Sequence, residues 1–193
     1  MKNNIKKPYI IILLTLFFLL VPLLQSLIFS ANSTGKIDIN KKVEASFIHS
    51  NKKNILIYFG YVGCADVCTP FLYKLSDLYE SEAFKKFKDN TDVLFVNLTP
   101  NEEPFQADLF AKFFNKNFKG IYLSKKEILT LDRNFNLFFS DDLQDETQIN
   151  HTDNLYLVQN KLDIKILKSI YFTHPLNSEQ LIDEINKIKN LDN

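Results

Sequence analysis

The distribution of apolar and polar positions divides the chain near residue 30. Tyr9 to Phe29 forms an unbroken run of 21 residues without a charge. As a helix such a run covers about 30 Å, the thickness of a hydrocarbon core, and Pro22 is tolerated there as a kink. Lys2, Lys6 and Lys7 precede the run and a polar stretch follows it, which places the N-terminus on the cytoplasmic side. A cleaved signal peptide is the alternative, with Ser30 as an acceptable residue before the cut, but the run is longer than the usual apolar region of such a peptide. Both readings export everything after about residue 32 to an oxidising compartment. Residues 1–30 are thus expected to form a membrane anchor, 31–42 a polar tether, and 43–193 one globular domain.

The exported part alternates strand and helix signals. Val43–His49 has the alternation of an edge strand, and Asn54–Gly60 and Thr91–Leu98 are continuous apolar runs of buried strands. Val67, Phe71, Leu72, Leu75, Leu78 and Tyr79 recur at helical spacing, predicting a helix from about Cys64 to Tyr79. Phe105, Leu109, Phe110, Phe113 and Phe114 mark a second helix, and Lys125–Asn134 a third. A short strand is expected at Ile121–Leu123, an extended piece at Leu137–Phe139, and a hairpin of Asn154–Gln159 and Ile164–Phe172 about Asn160-Lys161. Asn177 and Gln180 have the spacing of a capping box before a last helix striped by Leu181, Ile185 and Ile188. Strands interleaved with crossover helices make an α/β fold, a mixed sheet covered on both faces.

Composition adds little except by exclusion. Lys+Arg and Asp+Glu both total 23, so no basic excess exists to attract nucleic acid. With three lysines ahead of the apolar run, the remainder carries a small acidic excess. The acidic group Asp141, Asp142, Asp145 and Glu146 reads as a solvated loop.

The chemistry concentrates in two cysteines, the only ones in the chain. Cys64 and Cys68 directly follow the strand Asn54–Gly60 at a spacing of i, i+4. That spacing permits a disulfide when oxidised and a two-thiolate metal clamp when reduced. A helix N-terminus favours the thiolates that both metal binding and disulfide exchange require. Of the three histidines, His151 lies in a polar segment just before the strand Asn154–Gln159. In a thioredoxin-like sheet the loop entering that strand returns beside the start of the first helix, so His151 converges on the cysteines. Two thiolates and an imidazole suit copper, Cu(I) especially, whereas closed structural zinc sites take four ligands. His49 and His174 read as solvated, and Asp66 either tunes the cysteines or faces solvent. A purely structural disulfide is the plain alternative for the pair.

Ile57-Tyr58-Phe59-Gly60-Tyr61-Val62-Gly63-Cys64-Ala65-Asp66-Val67-Cys68 resembles the YFGYTxCPDVC signature of the SCO/SenC copper proteins. The resemblance implies a membrane-anchored thioredoxin-like domain over residues 43–193, facing the periplasm or the outside of the cell. It implies one copper, as Cu(I) and also Cu(II), bound by Cys64, Cys68 and His151. The implied function is a metallochaperone delivering copper to the CuA centre of a cytochrome c oxidase subunit. The chain departs from the signature at Ala65 and Thr69, where the family has prolines, at Val96-Asn97-Leu98-Thr99-Pro100, which lacks an aspartate, and at Asn150-His151-Thr152. The alternative function is a thiol–disulfide oxidoreductase in which Cys64 and Cys68 are the redox-active pair, maintaining the cysteines of a partner's copper site.

Overall fold

The computed structural model describes residues 6–32, 35–100, 103–141 and 149–190. The chain divides into two compact units, Met1–Thr34 and Gly35–Asn193.

The first unit is one helix, α1 (Lys6–Asn32), 27 residues long with Pro22 inside it. Its side chains are largely exposed, among them Leu13, Phe17 and Phe18. Thr15, a polar residue in its first half, turns its hydroxyl back onto the carbonyls of Ile11 and Ile12 at 3.0 and 2.9 Å, which satisfies that hydroxyl within the helix. Among the described residues no helix is long and apolar enough to cross a membrane, so the span expected over Tyr9 to Phe29 rests on the sequence.

The second unit is built on a six-stranded sheet. In chain order its elements are β1 (Lys36–Lys42), β2 (Asn54–Gly60), α2 (Cys68–Glu80), α3 (Glu82–Lys85), β3 (Thr91–Asn97), α4 (Pro104–Phe114), β4 (Lys119–Tyr122), α5 (Lys125–Ile128), α6 (Leu131–Phe135), β5 (Phe139–Asp141), β6 (Ile149–His151), β7 (Asn154–Lys161), β8 (Ile164–Phe172) and α7 (Ser178–Asn190). The large sheet runs β1-β8-β7-β2-β3-β4, while β5 and β6 pair as a separate ribbon. β2, β3 and β4 are parallel, and β1, β8 and β7 join antiparallel. This is the mixed sheet expected from the alternation of strand and helix signals, in the thioredoxin-like form that the resemblance implied.

Every residue of β2 and β3 is buried, because the two faces of the sheet are covered by different layers. Leu56, Tyr58, Val93, Phe95, Leu155, Leu157 and Tyr171 point to the side of α2, α4 and α7. Ile55, Ile57, Phe59, Leu94, Val96, Tyr156 and Val158 point to the side of α5 and α6. The strict alternation along each strand is the period-two geometry of the pleat. α4 approaches β4 so closely that a Cβ on Gly120 would lie 1.9 Å from the Ala107 carbonyl oxygen, so only glycine fits there. α7 is fastened by a buried polar cluster, in which Ser169 and Tyr171 on β8 donate to Glu184 at 2.7 and 2.5 Å and Lys36 on β1 pairs with the same carboxylate.

Several local expectations change. Residues 36–42, read as tether, are the edge strand β1, and the stretch expected as an edge strand, Val43–His49, forms no strand and meets β8 through the Val43 amide, which donates to the Lys165 carbonyl at 2.9 Å. Its Val43, Ala45 and Phe47 are buried as the alternation implied, but β1 already occupies the free edge of β8. The helix expected over Lys125–Asn134 is two short ones. A capping box of Ser124 and Glu127 starts α5, and the Thr130 hydroxyl, donating to the Glu127 carbonyl at 2.7 Å, occupies the break. Asn177 caps α7 by accepting the Gln180 amide at 3.1 Å, while the Gln180 side-chain oxygen has no partner, so the box is half made. Of the acidic group, Asp142, Asp145 and Glu146 lie outside the described residues.

Candidate metal centre

The site forms where β2 ends. β2 is hydrogen-bonded on both sides, to β3 and β7, so its last residue, Gly60, is fixed, and the chain must turn sharply from the sheet to reach α2. Gly63 provides that turn with φ at +87°. The expected helical start at Cys64 is displaced: Cys64 lies in the turn, its amide donating to the Tyr61 carbonyl at 3.2 Å, and α2 begins at Cys68. The Thr69 hydroxyl donates to the Cys64 carbonyl at 2.7 Å and the Cys68 amide to Cys64 Sγ at 3.3 Å. An N–H directed at a sulfur at a helix N-terminus favours its anionic form.

The sulfurs of Cys64 and Cys68 are joined as a disulfide, with Cα atoms 5.5 Å apart, inside the usual range for such a bridge. Both cysteines are almost fully buried, at 1% and 0% exposure. Gly60 is part of their packing, since a Cβ there would come within 3.0 Å of Cys68 Sγ.

His151 arrives from the other half of the domain. It is the last residue of β6 and faces Phe139 in the β5–β6 ribbon. Thr152 clips the ribbon shut: its amide donates to the Phe138 carbonyl at 2.8 Å, and its hydroxyl accepts the Phe138 amide at 2.9 Å. His151 Nδ1 lies 3.2 Å from the Thr152 carbonyl. A carbonyl only accepts, so this contact is one an Nδ1–H makes, an arrangement that turns Nε2 toward the cysteines. Nε2 is 3.8 Å from Cys68 Sγ, and the Tyr61 ring packs edge-on against the imidazole. The two sulfurs and one nitrogen lie within 4.8 Å of one another. The three residues singled out in the sequence therefore meet, although 83 positions separate Cys68 from His151.

Two supporting groups escaped the sequence reading. Asn97, fully buried at the end of β3 opposite Gly60, accepts the Val62 amide at 3.2 Å and the Thr99 hydroxyl at 2.7 Å, and donates to the Thr99 carbonyl at 3.0 Å. It pins the loop that carries Cys64. A polar residue closing an apolar strand was the available signal. Tyr58 on β2 stacks on Phe71 of α2 with ring centroids 4.6 Å apart and donates its hydroxyl to Asp153 at 2.6 Å. Burial, reinforced by the Asp153 carboxylate, pushes the Tyr58 phenol well above its ordinary pKa, so it stays a donor. His174, expected to be solvated, pairs with Asp153 at 2.6 Å and is half exposed. His49 is exposed, as is Asp66.

Fold and site together define a thioredoxin-like domain that carries a Cys-x-x-x-Cys pair and a converging histidine. The chain belongs to the SCO1/SenC family, whose family model matches residues 43–190. It is similar to an SCO2-like protein of Rickettsia conorii, at 26% identity over 121 residues, covering 60% of this chain and 57% of that relative. The match thus spans less than two thirds of the relative's length. Among solved structures it resembles Arabidopsis thaliana ScoI with copper bound, with a TM-score of 0.59 and 20% identity over 72% of this chain and 85% of that one. It also resembles BsSco, described as a member of the Sco family of cytochrome c oxidase assembly proteins with a disulfide switch, with a TM-score of 0.59 and 21% identity over 80% and 97%. At these identities the structural likeness establishes the fold.

Proposed function

We propose that this chain is a copper metallochaperone, anchored by α1 in the cytoplasmic membrane with its C-terminal domain on the periplasmic or outer side, and that it delivers copper to a CuA-type centre of a respiratory oxidase. The observation that carries the reading is the convergence of Cys64, Cys68 and His151 within 4.8 Å. Two thiolates and an imidazole match copper's preference for soft and borderline ligands, and the copper-bound ScoI and the membership of BsSco in a family of cytochrome c oxidase assembly proteins agree with it. The exposed apolar side chains of α1 and the lysines ahead of them support the anchor.

Copper is the cargo here. Loading requires the disulfide to be opened first. A dithiol donor supplies two electrons and two protons, is itself oxidised to a disulfide, and leaves two cysteine thiols. Binding then releases the thiol protons as the thiolates and His151 Nε2 take the metal. A helix N-terminus and the Cys68 amide lower the cost of that deprotonation. Transfer proceeds by exchange of these ligands for those of the recipient.

The test is an anaerobic Cu(I) competition titration of the reduced full chain in detergent, beside His151→Ala. One tightly bound copper that weakens sharply in the variant is expected. Retention of full affinity in Cys64→Ala or Cys68→Ala would sink the reading. A second function, thiol–disulfide exchange with a partner's copper-site cysteines, is favoured by the disulfide itself. Turnover on a dithiol substrate, with metal binding weak and indifferent to His151, would favour that function instead.

A further inference from the structure

His151 is joined to β7 by two residues only, Thr152 and Asp153. Thr152 is held by Phe138 in the ribbon. Asp153 is held from the opposite side by donors on two other segments. Its Oδ1 accepts the Tyr58 hydroxyl at 2.6 Å, and its Oδ2 accepts the Thr173 hydroxyl at 2.8 Å and lies 2.6 Å from His174 Nε2. Thr173 also donates to the Asp153 backbone carbonyl at 3.0 Å. The carboxylate is mostly buried, with 17% of its side chain exposed, and both of its oxygens are engaged.

The Tyr58 end of this network leads to the cysteines. Tyr58 stands two residues before Gly60 on the strand that feeds the Cys64 turn, and its ring stacks on Phe71, three residues after Cys68 on α2. One side chain therefore meets the cysteine helix with its face and the histidine turn with its hydroxyl. Beside the β2–β7 pairing and the Tyr61–His151 ring contact, the hydrogen bond from Tyr58 to this carboxylate adds a side-chain tie between the two halves of the metal centre. A carboxylate suits this place because it only accepts, and all three groups facing it can donate.

We propose that Asp153 is a positioning residue of the metal centre, fixing the His151 turn against the cysteine loop through Tyr58, Thr173 and His174. The proposal rests on the copper reading for its consequence but not for its geometry. An outer group of this kind orients a ligand, and its loss costs about 10–100-fold in metal affinity.

The experiment uses the full chain in detergent with Asp153→Asn, which preserves shape but turns an NH₂ toward one set of donors, and Tyr58→Phe, which removes the other contact. Three quantities are read: Cu(I) affinity by competition, the paramagnetic resonance and visible spectrum of the Cu(II) form, and the ring-nitrogen NMR signals of His151 in the metal-free chain. Both variants are expected to lose affinity about 10–100-fold, to change the Cu(II) spectrum, and to shift the His151 ring-nitrogen signals. Lower thermal stability with an unchanged spectrum, affinity and His151 signal would overturn the proposal and leave a purely structural tie. Should Asp153→Asn fail to fold, Tyr58→Phe decides alone by the same readouts. Should the parent chain take up no copper, the copper reading fails separately, and unchanged His151 ring signals in the variants would still overturn the positioning role.

Discussion

Cys68 Sγ packs directly against the α-carbon of Gly60, where an added Cβ would come within 3.0 Å of the sulfur and equally close to Phe95 on β3. Neither neighbour can retreat, because Cys68 and Phe95 are both fully buried. Gly60→Ala should therefore destabilise the domain by about 1–3 kcal/mol, the usual cost of overpacking a tight core, and weaken copper binding by shifting Cys68. Urea denaturation and copper titration of the variant check both parts. An unchanged affinity would show that the sulfur position tolerates the displacement.

Asn97→Leu should remove the acceptor of the Val62 amide while keeping the strand apolar. Leaving that group unsatisfied costs about 1–3 kcal/mol. The local signature is faster hydrogen exchange of the Val62 amide than in the parent chain, measured by NMR. Exchange as slow as in the parent would mean that the loop is held without Asn97.

Glu184→Ala should be among the more damaging single changes. It deprives Ser169, Tyr171 and Lys36 of their common acceptor, and breaking a buried charge pair by removing one partner typically costs about 3–5 kcal/mol. Lys36 retains some access to solvent, with 19% of its side chain exposed, which places the expected loss toward the lower end of that range. A melting curve of the variant tests it, and a loss within the scatter of surface substitutions would show that the cluster contributes little.

Acid should weaken one contact between α2 and the C-terminal end of α4. The Asn115 amide, donating to Glu80 at 2.9 Å, and then Lys88 hold the Glu80 carboxyl below its ordinary value of 4.5. A carboxyl depressed in the folded state stabilises fully above its unfolded pKa, and that contribution fades as pH falls through the folded value. The difference in urea midpoint between the parent chain and Glu80→Gln should therefore be largest near neutrality and shrink below about pH 4. A difference that stays constant from pH 7 to pH 3 would contradict the assignment.

The legible parts of this protein were those encoded by short-range pattern. β2 and β3 announce themselves as continuous apolar runs, since a strand covered on both faces has no polar side to show. The stripe Phe71, Leu72, Leu75 and Tyr79 identifies α2, and Cys64 and Cys68 stand out by type and spacing alone. His151 was found by topology rather than by pattern, because the antiparallel return of β7 beside β2 brings the residues before it to the cysteine turn.

The sequence by itself determined that an apolar helix precedes an α/β domain, that its sheet is mixed, and which three side chains meet at the candidate metal centre. Tertiary structure decided where the edge strand lies, since residues 36–42 read as a polar tether and 43–49 as the strand, and only the pairing of Lys36–Lys42 with β8 reverses the two. It also decided that Cys64 stands in a turn and not a helix, and that β6 exists at all, because a three-residue strand has no periodicity until β5 supplies its hydrogen bonds. The tie from Tyr58 to Asp153 is of the same kind. Hydrogen bonds between residues 95 positions apart depend on which strands become neighbours, and local residue preferences carry no record of that.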